Sequence, residues 1–397
     1  MIRPHSSFRH PTSGETRTAA HERLVGIDTR GIVRAIELAV IVPTYNERNN
    51  VPRLVGLLAE SLGDIRWEVV FVDDDSPDGT ADAVRALGRS DPRVRCVQRI
   101  GRRGLAGACI EGFLATSAPF LAVMDADLQH DERILRPMFE HLRKEGLDVV
   151  VGSRYVAGGG VGEWDASRTR ASRWATKLAH LVCRQPVSDP MSGFFVFRRE
   201  IFDDTVHRLS GVGFKILLDL LASSPKPLRI AEWPYEFRAR TEGRSKFDNR
   251  AIGEFLYLLL EKSVGRWIPT RFIVFSAVGA LGVLVHMTVL SGLYAGGLTS
   301  FVAAQTTATL VAMTFNYWLN NNTTYRDRRR TGWRWFTGLL GFCLACGIGA
   351  VANVGIATFL FDRHSTTWIL SGLAGIVVGA VWNYAVTSVF TWSDEKK

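Results

Sequence analysis

Cysteine is scarce in this chain: five in 397 residues, at Cys96, Cys109, Cys183, Cys343 and Cys346, in no regular framework. That excludes a disulfide-stapled secreted scaffold and suits a reducing compartment for the soluble part. Cys343 and Cys346 are spaced like half of a zinc site, but they lie in an apolar run with no second pair and read as packing residues. An apolar signal-peptide core is also missing. Residues 1–34 are rich in Arg, His, Ser and Thr, so 1–37 is expected to be a disordered cytosolic tail. The middle of the chain lacks net charge. Residues 38–261 hold 31 basic and 31 acidic side chains, so the overall +9 falls mainly on 262–397, with 11 basic and 4 acidic. A neutral soluble domain argues against a nucleic-acid footprint, while a basic C-terminal part fits contact with anionic lipid headgroups.

Long apolar runs are present, and all follow Arg271. Four stretches, 272–293, 301–319, 336–360 and 369–390, each approach or exceed the roughly 20 residues needed to cross a bilayer as a helix. Between the second and third lies Arg326-Asp327-Arg328-Arg329-Arg330-Thr331-Gly332-Trp333-Arg334, whereas the opposite loops carry little charge. The positive-inside rule places this loop, the soluble domain and both termini in the cytoplasm. Phe315-Asn316-Tyr317 and Trp382-Asn383-Tyr384 recur at the same place in each helix pair, which suggests two tandem hairpins. Asn316, Asn320 and Asn383 fit as polar links between helices. Ahead of them, Ile252, Phe255, Leu256, Leu259 and Leu260 pattern an amphipathic helix expected to lie on the membrane.

In 38–248, short apolar runs alternate with helical patterns, predicting an α/β domain with a mainly parallel sheet and ligand loops at the carboxyl ends of the strands. Three such loops are polar. Thr44-Tyr45-Asn46-Glu47 follows the first strand, and Asp73-Asp74-Asp75-Ser76-Pro77-Asp78-Gly79-Thr80 the second; Met124-Asp125-Ala126-Asp127-Leu128-Gln129-His130 follows the strand starting at Phe120. Asp78 or Thr80 explains one acid of the second loop as a helix cap and leaves the others, which favours a ligand site. Asp125 and Asp127 alternate onto one side of an extended chain, and with the Gln129 amide they offer the hard oxygens that Mg²⁺ or Mn²⁺ prefers. Alone, this Asp-X-Asp pair fits a solvated turn equally well. Basic residues follow at Arg154, at Arg168, Arg170, Ser172 and Arg173, and at Arg238, Arg240, Arg244, Ser245 and Lys246. Such groups suit an anion, though most basic clusters are solvated helix faces.

Taken in order, Pro43-Thr44-Tyr45-Asn46-Glu47, Val72 through Thr80, Gly104-Leu105, Asp125 through His130, Gly152-Ser153-Arg154-Tyr155, Asp189 with Ser192-Gly193-Phe194, and Ser245-Lys246 resemble the GT-A glycosyltransferases of family 2. The likeness is closest to dolichol- or polyprenol-phosphate mannose synthases and covers nearly all of 38–250. The last four helices resemble the GtrA-like membrane domain that accompanies some of these enzymes.

The resemblance implies a Rossmann-like GT-A catalytic domain at 38–248, an interfacial linker at 249–270, an all-α four-helix membrane domain at 271–393 and a short tail at 394–397. It implies that Pro43, Tyr45, Glu47 and Asp74, with Asp75 and Asp78, hold the nucleotide. Asp125, Asp127 and Gln129 would bind Mg²⁺ or Mn²⁺ on the sugar-nucleotide diphosphate. Arg154, Arg168 and Ser172 would cradle a lipid phosphate, and Arg240, Ser245 and Lys246 would sit over the donor. Asp127, Arg154 and Asp189 are the residues it brings to the reaction, Asp189 by orienting a substrate or an arginine. The implied reaction is inverting transfer of mannose from GDP-mannose to dolichyl or polyprenyl phosphate, with membrane lipids and no nucleic acid as partners. Two other readings stand beside it: the same transfer from UDP-glucose or another sugar nucleotide, and a lipid-linked sugar flippase with a regulatory soluble domain. A processive polysaccharide synthase would carry Gln-X-X-Arg-Trp, whereas Gly265-Arg266-Trp267 lacks the glutamine. Ala106, where many relatives have glycine after Gly-Leu, is one departure from the pattern.

Overall fold

Leu38 through Val42 are apolar on both alternating faces, the pattern of a strand covered on both sides, and Leu38–Thr44 forms such a strand, β1. The computed structural model describes residues 35–162, 166–183, 185–238, 249–265, 267–362 and 368–392. The chain divides into two units, Met1–Leu259 and Leu260–Lys397.

In the first unit the order is β1, α1 (Asn50–Leu62), β2 (Trp67–Asp73), α2 (Thr80–Gly88), β3 (Val94–Gln98), α3 (Leu105–Leu114), β4 (Phe120–Val123), α4 (Leu135–Lys144), β5 (Val149–Ser153), α5 (Ala166–Ala179), β6 (Phe195–Arg198), α6 (Arg199–Thr205), α7 (Ile216–Ser223) and β7 (Ile230–Pro234). These strands make one seven-stranded sheet in the order β3-β2-β1-β4-β6-β5-β7. Every pairing is parallel except those of β6, which runs antiparallel between β4 and β5. The sheet is therefore mainly parallel, and the carboxyl ends of β1, β2, β4, β5 and β7 share one edge with the amino end of β6. Leu38, Val40 and Val42 pack toward α1 and α4, while Ala39 and Ile41 pack toward α3 and α7. Gly112 in α3 lies so close to β1 that an added Cβ would strike Ile41, which seats this helix on the strand.

Helix α8 (Asn249–Val264) follows. Phe255 and Leu258 pack into the core of the first unit, whereas Ile252 and Leu256 are exposed. The amphipathic pattern is real, but Phe255 turns to protein rather than lying free.

In the second unit, α9 (Thr270–Leu290), α10 (Phe301–Asn322), α11 (Trp333–Asp362) and α12 (Trp368–Val386) cover the four apolar stretches. Among the described residues one helix, Thr270–Tyr294, is long and apolar enough by composition to cross a membrane. Besides a buried aromatic cluster of Phe275, Tyr317, Tyr325, Phe342 and Trp392, this unit turns large aliphatic side chains outward and small or polar ones inward. Val283, Leu284, Val302, Leu340 and Leu344 face outward, while Ala304, Ala308, Asn320 and Thr387 are inside, as in helices whose outer surface meets lipid and whose contacts use small and polar residues.

The tandem-hairpin pattern extends into the packing. Gly282 of α9 lies against the Asn316 amide of α10, and Gly349 of α11 against the Asn383 amide of α12. Tyr317 meets Phe342 and Phe275 meets Tyr384, each with ring centroids 5.7 Å apart. Tyr325 and Trp392 stack at 4.1 Å. The offset from Gly282 to Gly349 recurs from Asn316 to Asn383, from Phe275 to Phe342, from Tyr317 to Tyr384 and from Tyr325 to Trp392. Equivalent residues thus exchange places, as a two-fold relation between hairpins requires.

A matched test follows. Gly→Ala in a helix ordinarily stabilises by about 0.5–1 kcal/mol, and at Gly279 and Gly347 an added Cβ meets nothing within 4 Å. At Gly282 and Gly349 it would strike an asparagine, a forced contact costing about 1–3 kcal/mol. Thermal unfolding of the detergent-solubilised protein is expected to show lower midpoints for G282A and G349A, and unchanged or higher ones for G279A and G347A.

Candidate active site

The loops after β1 and β2 are tied together by side-chain-to-backbone hydrogen bonds. Asn46 N–H donates to Ser76 Oγ at 3.0 Å, Glu47 N–H to Thr80 Oγ1 at 3.0 Å and Arg48 N–H to Asp78 Oδ2 at 3.2 Å. Asp78 also accepts from the Thr80 N–H and hydroxyl. Burial opposes its charge, but these bonds outweigh it and hold its carboxyl below the ordinary range. Asp73 is fully buried and accepts from the Ser76 N–H and hydroxyl. Of the four acids in this loop, Asp73 and Asp78 are therefore committed to its shape.

Asp74 and Asp75 face the Gly101–Gly104 turn. Asp74 accepts from Arg99 Nη1 and from the Gly104 N–H, both at 2.6 Å. Burial pushes its carboxyl up despite Arg99 and Gly104. Arg99 goes on to Glu111 at 3.1 Å, and Asp75 accepts from the Gly101 N–H at 3.3 Å. Asn46 and Asp75 both hold the left-handed conformation, at φ 57° and 58°, which asparagine and aspartate tolerate better than most residues. The Arg103 guanidinium lies 4.3 Å from the Tyr45 ring centroid.

After β4 the chain turns sharply through Leu128, at φ 61°. Gln129 N–H donates to Asp127 Oδ1 at 3.2 Å, and Asp125 N–H donates to His130 Nδ1 at 3.2 Å. Asp125 is about one-third exposed and Asp127 nearly buried. The Gln129 Nε2 donates to the Arg238 carbonyl at 2.9 Å, which directs its amide oxygen the other way. Two carboxylates and an amide oxygen on one turn are oxygen donors of the type that Mg²⁺ or Mn²⁺ takes. Among the described residues no larger His, Cys, Asp or Glu cluster suited to a metal is assembled. Arg238 is itself held by Asp131 and Glu132, each at 2.7 Å. Burial lowers the His130 imidazole to about 4, so it is neutral.

The opposing side is cationic. Arg154 makes a two-pronged pair with Asp189, Nε to Oδ2 at 2.7 Å and Nη2 to Oδ1 at 2.8 Å. Burial works against the Arg154 charge, but Asp189 more than offsets it and holds the guanidinium above its ordinary value. The Ser188 and Asp189 N–H groups donate to Glu232 on β7, which fixes the loop. The Tyr155 and Ser172 hydroxyls meet at 2.7 Å. Lys215, just ahead of α7, donates to the Met191 carbonyl at 3.2 Å. Burial and then Arg154 lower its amine while Asp189 and Asp125 partly compensate, leaving it at about 8. These charges share one neighbourhood. His130 responds to Asp127, Arg154, Asp189 and Lys215, and Tyr235, raised by burial, to Arg154, Asp189 and Asp125.

Asp74, Asp125, Asp127, Gln129, Arg154, Asp189 and Ser172 thus stand at the predicted sheet edge, with Pro43, Tyr45 and Glu47 beside them. Arg240, Ser245 and Lys246, and the side chain of Arg168, lie outside the described residues. Lys215, Arg99 and Glu232 carry no motif and were not among the predicted site residues. A cavity of about 760 Å³ lies elsewhere, at the amino edge of β1 and β2. Its Arg66 and Arg95 are paired with Glu37 and Glu68, and Arg143 lies 3.8 Å from Glu37.

Comparison with known proteins assigns each unit. Residues 39–206 match glycosyl transferase family 2, and residues 274–392 match the GtrA/DPMS transmembrane domain. The chain is 32% identical over 360 residues to a dolichol-phosphate mannosyltransferase of Pyrococcus furiosus, covering 90% of this chain and 100% of that one. It is 35% identical over 250 residues to the enzyme of that name from Saccharomyces cerevisiae, covering 61% and 92%. Among solved structures, glucosyl-3-phosphoglycerate synthase from Mycobacterium tuberculosis aligns at 18% identity and a TM-score of 0.42, over 64% of this chain and 86% of that one.

Proposed function

The chain belongs to glycosyltransferase family 2 and is a membrane protein, and from that premise we propose that it transfers mannose from GDP-mannose to a polyprenyl or dolichyl phosphate at the cytoplasmic face of the membrane. The observation that carries this reading is the gathering of Asp125, Asp127, Arg154, Asp189 and Lys215 around the one buried His130 imidazole. Carboxylates and cations gathered in one place suit a metal-bound diphosphate meeting a second phosphate. In this reading 38–248 is the catalytic domain, 249–270 a linker at the membrane surface and 271–393 a four-helix membrane domain. The relatives named dolichol-phosphate mannosyltransferase support the choice of acceptor and sugar.

Tyr45, Pro43, Glu47 and Asp74 bind the nucleoside, with Asp75 acting through the Gly101 turn. Asp125, Asp127 and Gln129 would hold Mg²⁺ or Mn²⁺, which would supply neutralisation of charge on the departing diphosphate. Arg154, Arg168 and Ser172 receive the lipid phosphate, and Arg240, Ser245 and Lys246 contribute to binding the donor. A phosphate oxygen of the lipid is already anionic, so no strong base is needed. It forms a bond to the sugar C1 while the C1–O bond to the diphosphate breaks, and the nucleoside diphosphate leaves with the electron pair. Attack opposite the leaving group inverts C1. Asp189 fixes the Arg154 fork, and Lys215 adds a cation beside the reacting phosphates.

The test is a panel of sugar nucleotides, each with one polyprenyl phosphate and Mg²⁺ or Mn²⁺. Labelled mannose from GDP-mannose is expected in the lipid fraction. Labelled glucose from UDP-glucose with no mannose would replace the donor, and no transfer from any donor would reject the reading.

The Lys215 amine gives this reading a pH signature. Its value of about 8, against an ordinary 10.5, means the folded protein releases the proton first as pH rises. The unfolded chain then binds more protons, so stability rises between those two values. Transfer is expected to move the opposite way, declining above pH 8 as the cation is lost. K215M is expected to lower kcat on the order of 10²-fold and to remove that decline. A pH–rate profile of wild type and variant, beside denaturation midpoints at the same pH values, separates the two effects.

A further inference from the structure

His130 belongs to the acidic motif, yet an imidazole is not needed for an all-oxygen donor set. It is 2% exposed. Its ring stacks on Phe194 at 5.1 Å with 18° between planes, and meets Tyr235 and Phe237 edge-on at 5.8 and 5.7 Å. The ring is thereby fixed by two segments outside its own loop. Its Nδ1 accepts the Asp125 N–H at 3.2 Å, so the ring proton is on Nε2, which faces Asp125 Oδ2 at 3.9 Å. That separation is too long for a hydrogen bond. The backbone bond spans the turn containing Leu128 at φ 61°, a conformation that costs a leucine about 1–2 kcal/mol and needs closure from both sides. On the far side, a Cβ added to Gly193 would lie 3.1 Å from Asp125 Oδ2 and 3.5 Å from His130 Cε1. The absence of a side chain there leaves space for both groups.

We propose that His130 is a positioning residue: by accepting the Asp125 N–H it closes the Asp125–His130 turn and aims the Asp125 carboxylate at the cation site. This rests on the reading of Asp125 and Asp127 as metal ligands. Two substitutions separate the ring from its acceptor. His130→Phe keeps the aromatic stack and removes Nδ1. His130→Asn removes the ring and places Oδ1 where Nδ1 stood.

The measurements are Mn²⁺ binding with GDP present, followed by electron paramagnetic resonance, together with kcat, KM and thermal midpoint of the full chain in detergent. His130→Phe is expected to keep its midpoint within a few degrees while Mn²⁺ affinity falls about 10-fold or more, as for lost outer-shell support. His130→Asn is expected to have a lower midpoint and Mn²⁺ affinity within about threefold of wild type, the rescue following from its acceptor. Wild-type Mn²⁺ affinity in His130→Phe would overturn the proposal, as would equal losses in both variants, which would reduce His130 to a packing residue. Failure of the wild type itself to bind Mn²⁺ with GDP would instead reject the metal reading, and the positioning role with it.

Discussion

Asp127→Asn is expected to reduce transfer on the order of 10³-fold or more, with little change in folding. Removal of one preorganised electrostatic group from a reaction site typically costs 10²–10³ in rate, and in the proposed reading the lost charge would also weaken the hold on a divalent cation. Asparagine keeps the shape: Asp127 is nearly buried, and its Oδ1 accepts the Gln129 N–H at 3.2 Å, a bond that an amide oxygen can still make. The turn is therefore retained while the charge is gone. The check is labelled mannose transfer by purified wild type and variant across a Mn²⁺ titration, with thermal midpoints measured in parallel. Full transfer by the variant would remove Asp127 from the role given to it.

Much of that site was legible because its residues sit at strand ends. Leu38 through Val42, Glu68 through Val72 and Phe120 through Val123 announce strands by their apolar, β-branched character, and the loops that follow must leave from one edge once the sheet is parallel. The acidic turn and its amide were readable in the same way. The antiparallel insertion of β6 between β4 and β5 was not, because strand partners are chosen by contacts distant in sequence. Lys215 stands alone after Gly213-Phe214, and only the fold brings its amine to Asp189 and Asp125. Arg99 likewise looks like any strand-end cation until Asp74 and Glu111 close on it. For α8 the amphipathic period showed that one face is covered and did not show by what. Phe255 meets the protein core, while Ile252 and Leu256 are exposed.

Arg154 and Asp189 invite a sharper experiment, because stability and activity should separate. Asp189 is fully buried and the Arg154 side chain 10% exposed. Removing one partner strands a charge in the interior, which typically costs about 3–5 kcal/mol. Asp189→Asn and Arg154→Met are both expected to lower the denaturation midpoint strongly. Replacing both at once leaves no charge behind, and hydrophobic substitution of a buried pair is often neutral or stabilising. The double variant Arg154→Met with Asp189→Leu should then recover most of the lost stability. It should not recover transfer, since a thioether cannot receive the lipid phosphate as a guanidinium does. Denaturant titration and mannose transfer on the same four preparations test both halves. If the double variant were as stable as wild type and equally active, the pair would be an architectural brace and the phosphate would be held elsewhere. A stable, inactive double variant places Arg154 at the acceptor and gives Asp189 the task of keeping its fork in register.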